Sequence, residues 1–73
     1  MSGMRVSNTI RRLRFEAGEM TQQALADKAG VTRQTIIAIE NAKYSPSLEL
    51  AFLIAEVFGK PLEEVFIFDA SKD

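Results

Sequence analysis

No stretch of this chain keeps one pattern for long. Apolar residues recur at three- and four-residue spacing, as on one face of a helix, but Gly18, Gly30, Pro46, Gly59 and Pro61 cut every run short. The punctuation predicts a bundle of short α-helices. No apolar stretch approaches the roughly 20 residues that a membrane span requires. With 73 residues the chain is expected to be a single domain, 1–73, whose one core gives only marginal stability, so oligomerisation is expected.

Capping residues place five helices, at about 8–17, 22–29, 33–41, 47–58 and 61–66. Ser7 or Asn8 caps the first, which carries Ile10, Leu13 and Ala17 and ends near Gly18. Thr21 caps the second, with Leu25 and Ala29 inward and Gly30 past its end, and Thr32 caps the third. Pro46-Ser47 opens the fourth, which stops at Gly59, and Pro61 occupies a first-turn position of the fifth. The tail Phe66-Ile67-Phe68-Asp69 is β-prone and needs a partner; Met4-Arg5-Val6 is the other candidate strand, so a small antiparallel ribbon between the termini is expected.

Cysteine and histidine are absent, which removes disulfides, thiolate chemistry, Cys/His metal sites and a histidine general base. No cofactor, metal or small-molecule ligand is indicated, and an enzyme is not expected. The acid pairs Glu63/Glu64 and Glu49/Glu56 read as solvated faces and first-turn dipole partners. The N-terminus is too polar for a signal peptide, so the expected location is the cytoplasm. Met1-Ser2-Gly3-Met4 reads as a cloning remnant or a late second start, and residues 1–3 carry no weight for the fold.

The net charge of -1 hides a gradient. Residues 1–45 hold seven Lys/Arg against four Asp/Glu, a balance of +3; residues 46–73 hold two against six, a balance of -4. Small domains show such asymmetry by chance, but a dipolar protein can meet a phosphate backbone with its basic half.

Two short helices, Gln22 to Ala29 and Arg33 to Asn41, flank a turn of about three residues that begins at Gly30, the helix-turn-helix plan over 22–41. A glycine between two amphipathic helices is weak evidence alone. Here Leu25, Ala26 and Ala29 precede it, and Val31, Ile36 and Ile39 follow it, in register for two crossing helices. With "LRFEAG", "TQQALADKAGVTRQTI", "IENAKYSPSLELAFLIA" and "PLEEVF" in that order, the chain resembles the Cro/C1-type, phage-repressor-like helix-turn-helix family, most closely its compact single-domain members. The resemblance covers roughly Asn8 to Phe66. It implies a five-helix, lambda-repressor-like all-α domain that binds operator DNA as a homodimer and regulates transcription, most often by repression.

On a helical projection Ile36 and Ile39 face the core, while Gln34, Ile37, Ala38 and Asn41 lie opposite, with Arg33 at the edge. Arg33 and Gln34 are the first choices for reading bases, since Arg suits guanine and Gln adenine, although any solvent face carries such residues. Ala38 matches a base-reading position of the family but is too short for a hydrogen bond. Ile37 lies roughly 130° from the core direction and is out of place there unless it meets thymine methyls or sugar edges. Gln22 begins the second helix, where free N–H groups receive phosphate, and it matches the family's phosphate-clamping glutamine. Thr32, Thr35, Asn41, Lys43 and Tyr44 are further phosphate candidates, each with a cap or turn role as the alternative. Arg14 and Glu40 match a family ion pair that orients the first and third helices.

The fourth helix, "SLELAFLIAEVF", is polar only at Glu49 and Glu56 after its cap, leaving an apolar arc wider than one small core covers. Leu53, Val57, Phe66 and Phe68 are the expected homodimer residues, with a helix merely central to the core as the alternative. Two departures from the family pattern stand out. "AGEMTQ" carries an extra residue, Glu19, which puts phosphate contacts from Arg11 and Arg12 in doubt. Ala42 stands where glycine is common, so Asn41 is expected to take the left-handed turn in its place. The leading expectation is a transcription regulator; the alternative is a protein-interaction module, an antitoxin or adaptor on the same fold.

Overall fold

A computed structural model describes residues 6–69. Its elements in order are β1 (Val6–Asn8), α1 (Ile10–Glu16), α2 (Gln22–Ala29), α3 (Arg33–Glu40), α4 (Leu48–Phe58), α5 (Leu62–Val65) and β2 (Phe66–Phe68). The five helices surround one core, to which α1 gives Ile10 and Leu13, α2 Leu25, Ala26 and Ala29, α3 Ile36 and Ile39, α4 Leu50, Ile54 and Ala55, and α5 Val65. These positions follow the 3.6-residue period, and no polar or charged residue is buried among the described residues.

Local capping chemistry sets three helix starts. Thr21, Thr32 and Ser47 each take an extended backbone, and their hydroxyls accept the N–H of Ala24, Thr35 and Leu50. Ser47 is therefore the cap, and α4 starts one residue later than the expected 47–58. The first helix departs further from expectation. Ser7 and Asn8 belong to β1, and Thr9 holds the cap position without a side-chain cap bond. Long-range bonds outcompete capping here: the Thr9 N–H donates to the Val65 carbonyl (2.9 Å) and its hydroxyl to the Glu64 carbonyl (2.6 Å). Pro61 is likewise the residue before α5 and not in its first turn, and Phe66 leaves the helix for the ribbon (φ -119°, ψ 123°).

The expected ribbon forms, and its first strand runs on past Val6 to Asn8. Val6, Ser7 and Asn8 pair antiparallel with Phe68, Ile67 and Phe66; Met4 and Arg5, expected in that strand, lie outside the described residues.

Three helices close with one pair of hydrogen bonds. At the end of α2 the Val31 N–H donates to Ala26 (3.0 Å) and Gly30 to Asp27 (3.4 Å); at the end of α4 Lys60 donates to Ala55 and Gly59 to Glu56. At the end of α3 Lys43 donates to Ala38 and Ala42 to Ile39, both at 2.9 Å. The turn needs a left-handed residue after the cap, so Ala42 adopts φ 58° while Asn41 stays at φ -86°. The expected exchange of roles, with Asn41 left-handed, does not occur: position in the hydrogen-bonded turn outweighs residue type. The α1 closure is one residue wider. Met20 donates to Arg14 and Glu19 to Phe15, across consecutive left-handed residues Gly18 (φ 84°) and Glu19 (φ 60°), so the extra residue is absorbed in the turn.

Candidate nucleic-acid interface

The surface between α1, α2 and α3 is organised around one carboxylate. Glu40, in the last turn of α3, accepts Arg14 Nε at 2.6 Å through Oε2 and Arg14 Nη2 at 3.1 Å through Oε1. Gln22 Nε2 reaches the same Oε1 at 3.3 Å. Arg14 Nη1 donates to the Met20 carbonyl (2.8 Å), which ties the guanidinium to the widened α1–α2 turn. The side chains are 16% and 8% exposed, so the pair sits under the surface and fixes three helices relative to one another.

Above it lies an open cleft of about 540 Å³ lined by Arg11, Arg14, Thr21, Gln22, Gln23, Arg33, Glu40 and Asn41. Arg14 is neutralised by Glu40, which leaves Arg11 and Arg33 as the cleft's uncompensated charges. Sequence reasoning held Arg11 in doubt, yet it lines the cleft; it stands one helical turn before Arg14, and that spacing was the available signal. Arg12 points elsewhere and lies 3.6 Å from Glu16 in an exposed i,i+4 pair. Gln23 also lines the cleft and donates to Asp27 Oδ1 (2.9 Å); nothing in the sequence singled it out.

Arg33 and Gln34 are exposed at the first turn of α3, and Ile36 and Ile39 are sealed beneath it. Ile37 and Ala38 are half-buried along its flank. Thr32 and Thr35 are joined hydroxyl to hydroxyl at 3.1 Å at the helix start. Asn41, Lys43 and Tyr44 are exposed beyond its end.

A different surface lies on α4 and β2. Leu53 (44% exposed) and Phe68 (61%) face solvent as expected, but Val57 and Phe66 pack half-buried against the core. Leu48 (68%) and Phe52 (53%), one turn apart on α4, are also exposed and were not singled out. A cleft of about 270 Å³ joins Leu48 and Ala51 to Val6 and Phe66, so the helix and ribbon form a common surface. Phe15, on α1, is 68% exposed as well. No helix among the described residues is long and apolar enough to cross a membrane.

Known proteins share this sequence and fold. Residues 10–65 match the family model described as helix-turn-helix. An uncharacterised HTH-type transcriptional regulator of Methanocaldococcus jannaschii is 60% identical over 50 residues, covering 68% of this chain and 76% of that protein. The cryptic phage CTXphi transcriptional repressor RstR of Vibrio cholerae is 36% identical, over 81% of this chain and 52% of its own length. Among solved structures, a Bacteroides fragilis protein proposed to bind DNA superposes with a TM-score of 0.73 at 24% identity, covering 84% of this chain and 97% of its own. At that identity the likeness shows the fold alone.

Proposed function

The chain belongs to the Cro/C1-type helix-turn-helix family of DNA-binding transcriptional regulators, and from that premise we propose that it is a repressor that binds a palindromic operator as a homodimer. One observation carries the proposal: α3 exposes Arg33 and Gln34 at its first turn, beside a cleft whose uncompensated charges are both cationic, while its opposite face is locked into the core. In the major groove Arg33 and Gln34 meet base edges, and Ile37 and Ala38 offer apolar contact to thymine methyls. Gln22, Thr32, Thr35, Asn41, Lys43 and Tyr44 hold phosphates and set the register without reading sequence. Repression is supported by the name of RstR, a transcriptional repressor.

Leu53 and Phe68, joined by Leu48 and Phe52, form the contact between copies, with Val57 and Phe66 behind them. A two-fold dimer spaces the recognition helices by ~34 Å, one turn of DNA. The whole chain acts as one helix-turn-helix domain, in the cytoplasm, without cofactor, metal or small-molecule ligand.

Selection of bound sites from a random DNA pool tests the reading. The expected product is a palindrome with half-sites one helical turn apart, bound with affinity that falls steeply as salt rises. No enrichment, and no duplex binding at low salt, would overturn it. The exposed apolar residues of α4 and β2 favour a second reading, an antitoxin or adaptor that holds another protein; a chain that stays monomeric by sedimentation and enriches no DNA site would support it.

A further inference from the structure

The recognition helix packs chiefly on α2, and its last turn is tied to α1 through Arg14 and Glu40. A second tie comes from the terminal ribbon. Asn8, at the end of β1, donates from Nδ2 to the Ile39 carbonyl in the last turn of α3 (2.9 Å), 31 residues away in the chain. Its Oδ1 accepts the Ile10 N–H (3.1 Å), so both ends of the amide are engaged. Those partners also fix the amide's orientation, since a carbonyl needs a donor and an N–H an acceptor. The strand that carries Asn8 is held in turn by β2, with Asn8 opposite Phe66. The Ile39 carbonyl accepts the Ala42 N–H as well, in the left-handed turn that ends α3.

We infer that Asn8 is a positioning residue for DNA recognition: it pins the end of α3 to the terminal ribbon and so sets the tilt at which Arg33 and Gln34 are presented relative to the apolar side of the molecule. The inference rests on the reading of α3 as the DNA-contacting helix. It assigns the ribbon a task beyond closing the chain ends. A ladder this short contributes little stability by itself, but a strut needs only to be stiff along one direction, and the doubly engaged amide supplies that.

Two substitutions separate positioning from stability. Asn8→Ser keeps an oxygen able to receive the Ile10 N–H, stays neutral, and is too short to reach Ile39. Thr9→Val removes the hydroxyl bond to the Glu64 carbonyl, which fastens α1 to α5 without touching α3. In the full chain, Asn8→Ser is expected to speed amide hydrogen exchange at Ala42 and Lys43 and to leave the interior amides of α2 unchanged. It is also expected to lower the ratio of selected-duplex to random-duplex affinity by roughly three- to tenfold, the factor that one hydrogen bond of ordinary net strength supplies. Thr9→Val is expected to lower the melting temperature without changing that ratio. Unchanged exchange at Ala42 and Lys43 in Asn8→Ser overturns the inference whether or not DNA is bound. An equal loss of the ratio in Thr9→Val overturns it too, by tracing the effect to stability. If the wild-type chain binds no duplex, the DNA reading falls, and the exchange result still decides whether Asn8 pins α3.

Discussion

The cleft beside α3 and the outer side of α4 both face solvent, yet they are organised in opposite ways. The cleft is polar and ordered from below: Glu40 accepts from Arg14 and Gln22, Arg14 donates to the Met20 carbonyl, and the exposed side chains stand on that network. The α4 side is apolar: Leu48, Phe52 and Leu53 project from a helix whose other face fills the core. Polar groups recognise a partner by direction and must be held in place, whereas apolar area gains free energy from any surface that excludes water. The cleft is accordingly the side suited to discrimination, and the α4 side the one suited to assembly.

Removing the pin of the polar side should produce the largest effect. Glu40→Ala leaves the Arg14 guanidinium largely buried without its carboxylate and is expected to cost roughly 3 kcal/mol, seen as a lower denaturation midpoint, and to abolish selective DNA binding. A midpoint within experimental error of wild type would mean that the cleft does not depend on the pair.

On the apolar side, Leu53→Lys is expected to leave the monomer fold intact, because that side chain is 44% exposed, and to weaken self-association by roughly 2 kcal/mol. Sedimentation across a concentration series checks this; equal dimer content in the variant would remove Leu53 from the interface. Within the cleft, Gln34→Ala is expected to relax base preference by roughly 1 to 2 kcal/mol at one position of the site, whereas Gln22→Ala weakens all duplexes alike. Uniform loss for both would erase the division between reading and positioning.

The smallest effect concerns the two helix ends that close alike with different residues. Ala42→Gly is expected to stabilise the fold by about 1 kcal/mol or less, by relieving the left-handed alanine. Gly30→Ala is expected to destabilise by a similar amount, about 1 kcal/mol, from backbone strain, since a Cβ there meets nothing within 4 Å. Melting temperatures moving in opposite directions would bear this out; a drop for Ala42→Gly would refute it.

Helix identity, the turn between α2 and α3 and the core positions of those two helices were legible in the chain, because each follows from periodicity or from residues within a few positions; the Arg14–Glu40 pair was legible only through family resemblance. The helix starts governed by Thr21 and Thr32 were legible for the same reason: the capping hydroxyl and the N–H it accepts are three residues apart. At the start of α1, where prediction missed, the deciding bonds were long-range. Asn8 is a good local cap, but its amide is taken by Ile39, and Thr9 is held by Glu64 and Val65.

By itself, then, the sequence determined which segments are helical, which faces of α2 and α3 turn inward and that the third helix presents Arg33 and Gln34 outward, since these depend on spacing alone. Only the tertiary structure decided the start of α1, the register of the ribbon, the left-handed turn at Ala42, the entry of Arg11 into the cleft and the burial of Val57 and Phe66. The physical reason is common to all five. A backbone or side-chain group goes where its bonding and packing are best satisfied in the whole fold, and the partners that satisfy these lie on other elements or in closures whose geometry no single residue type dictates.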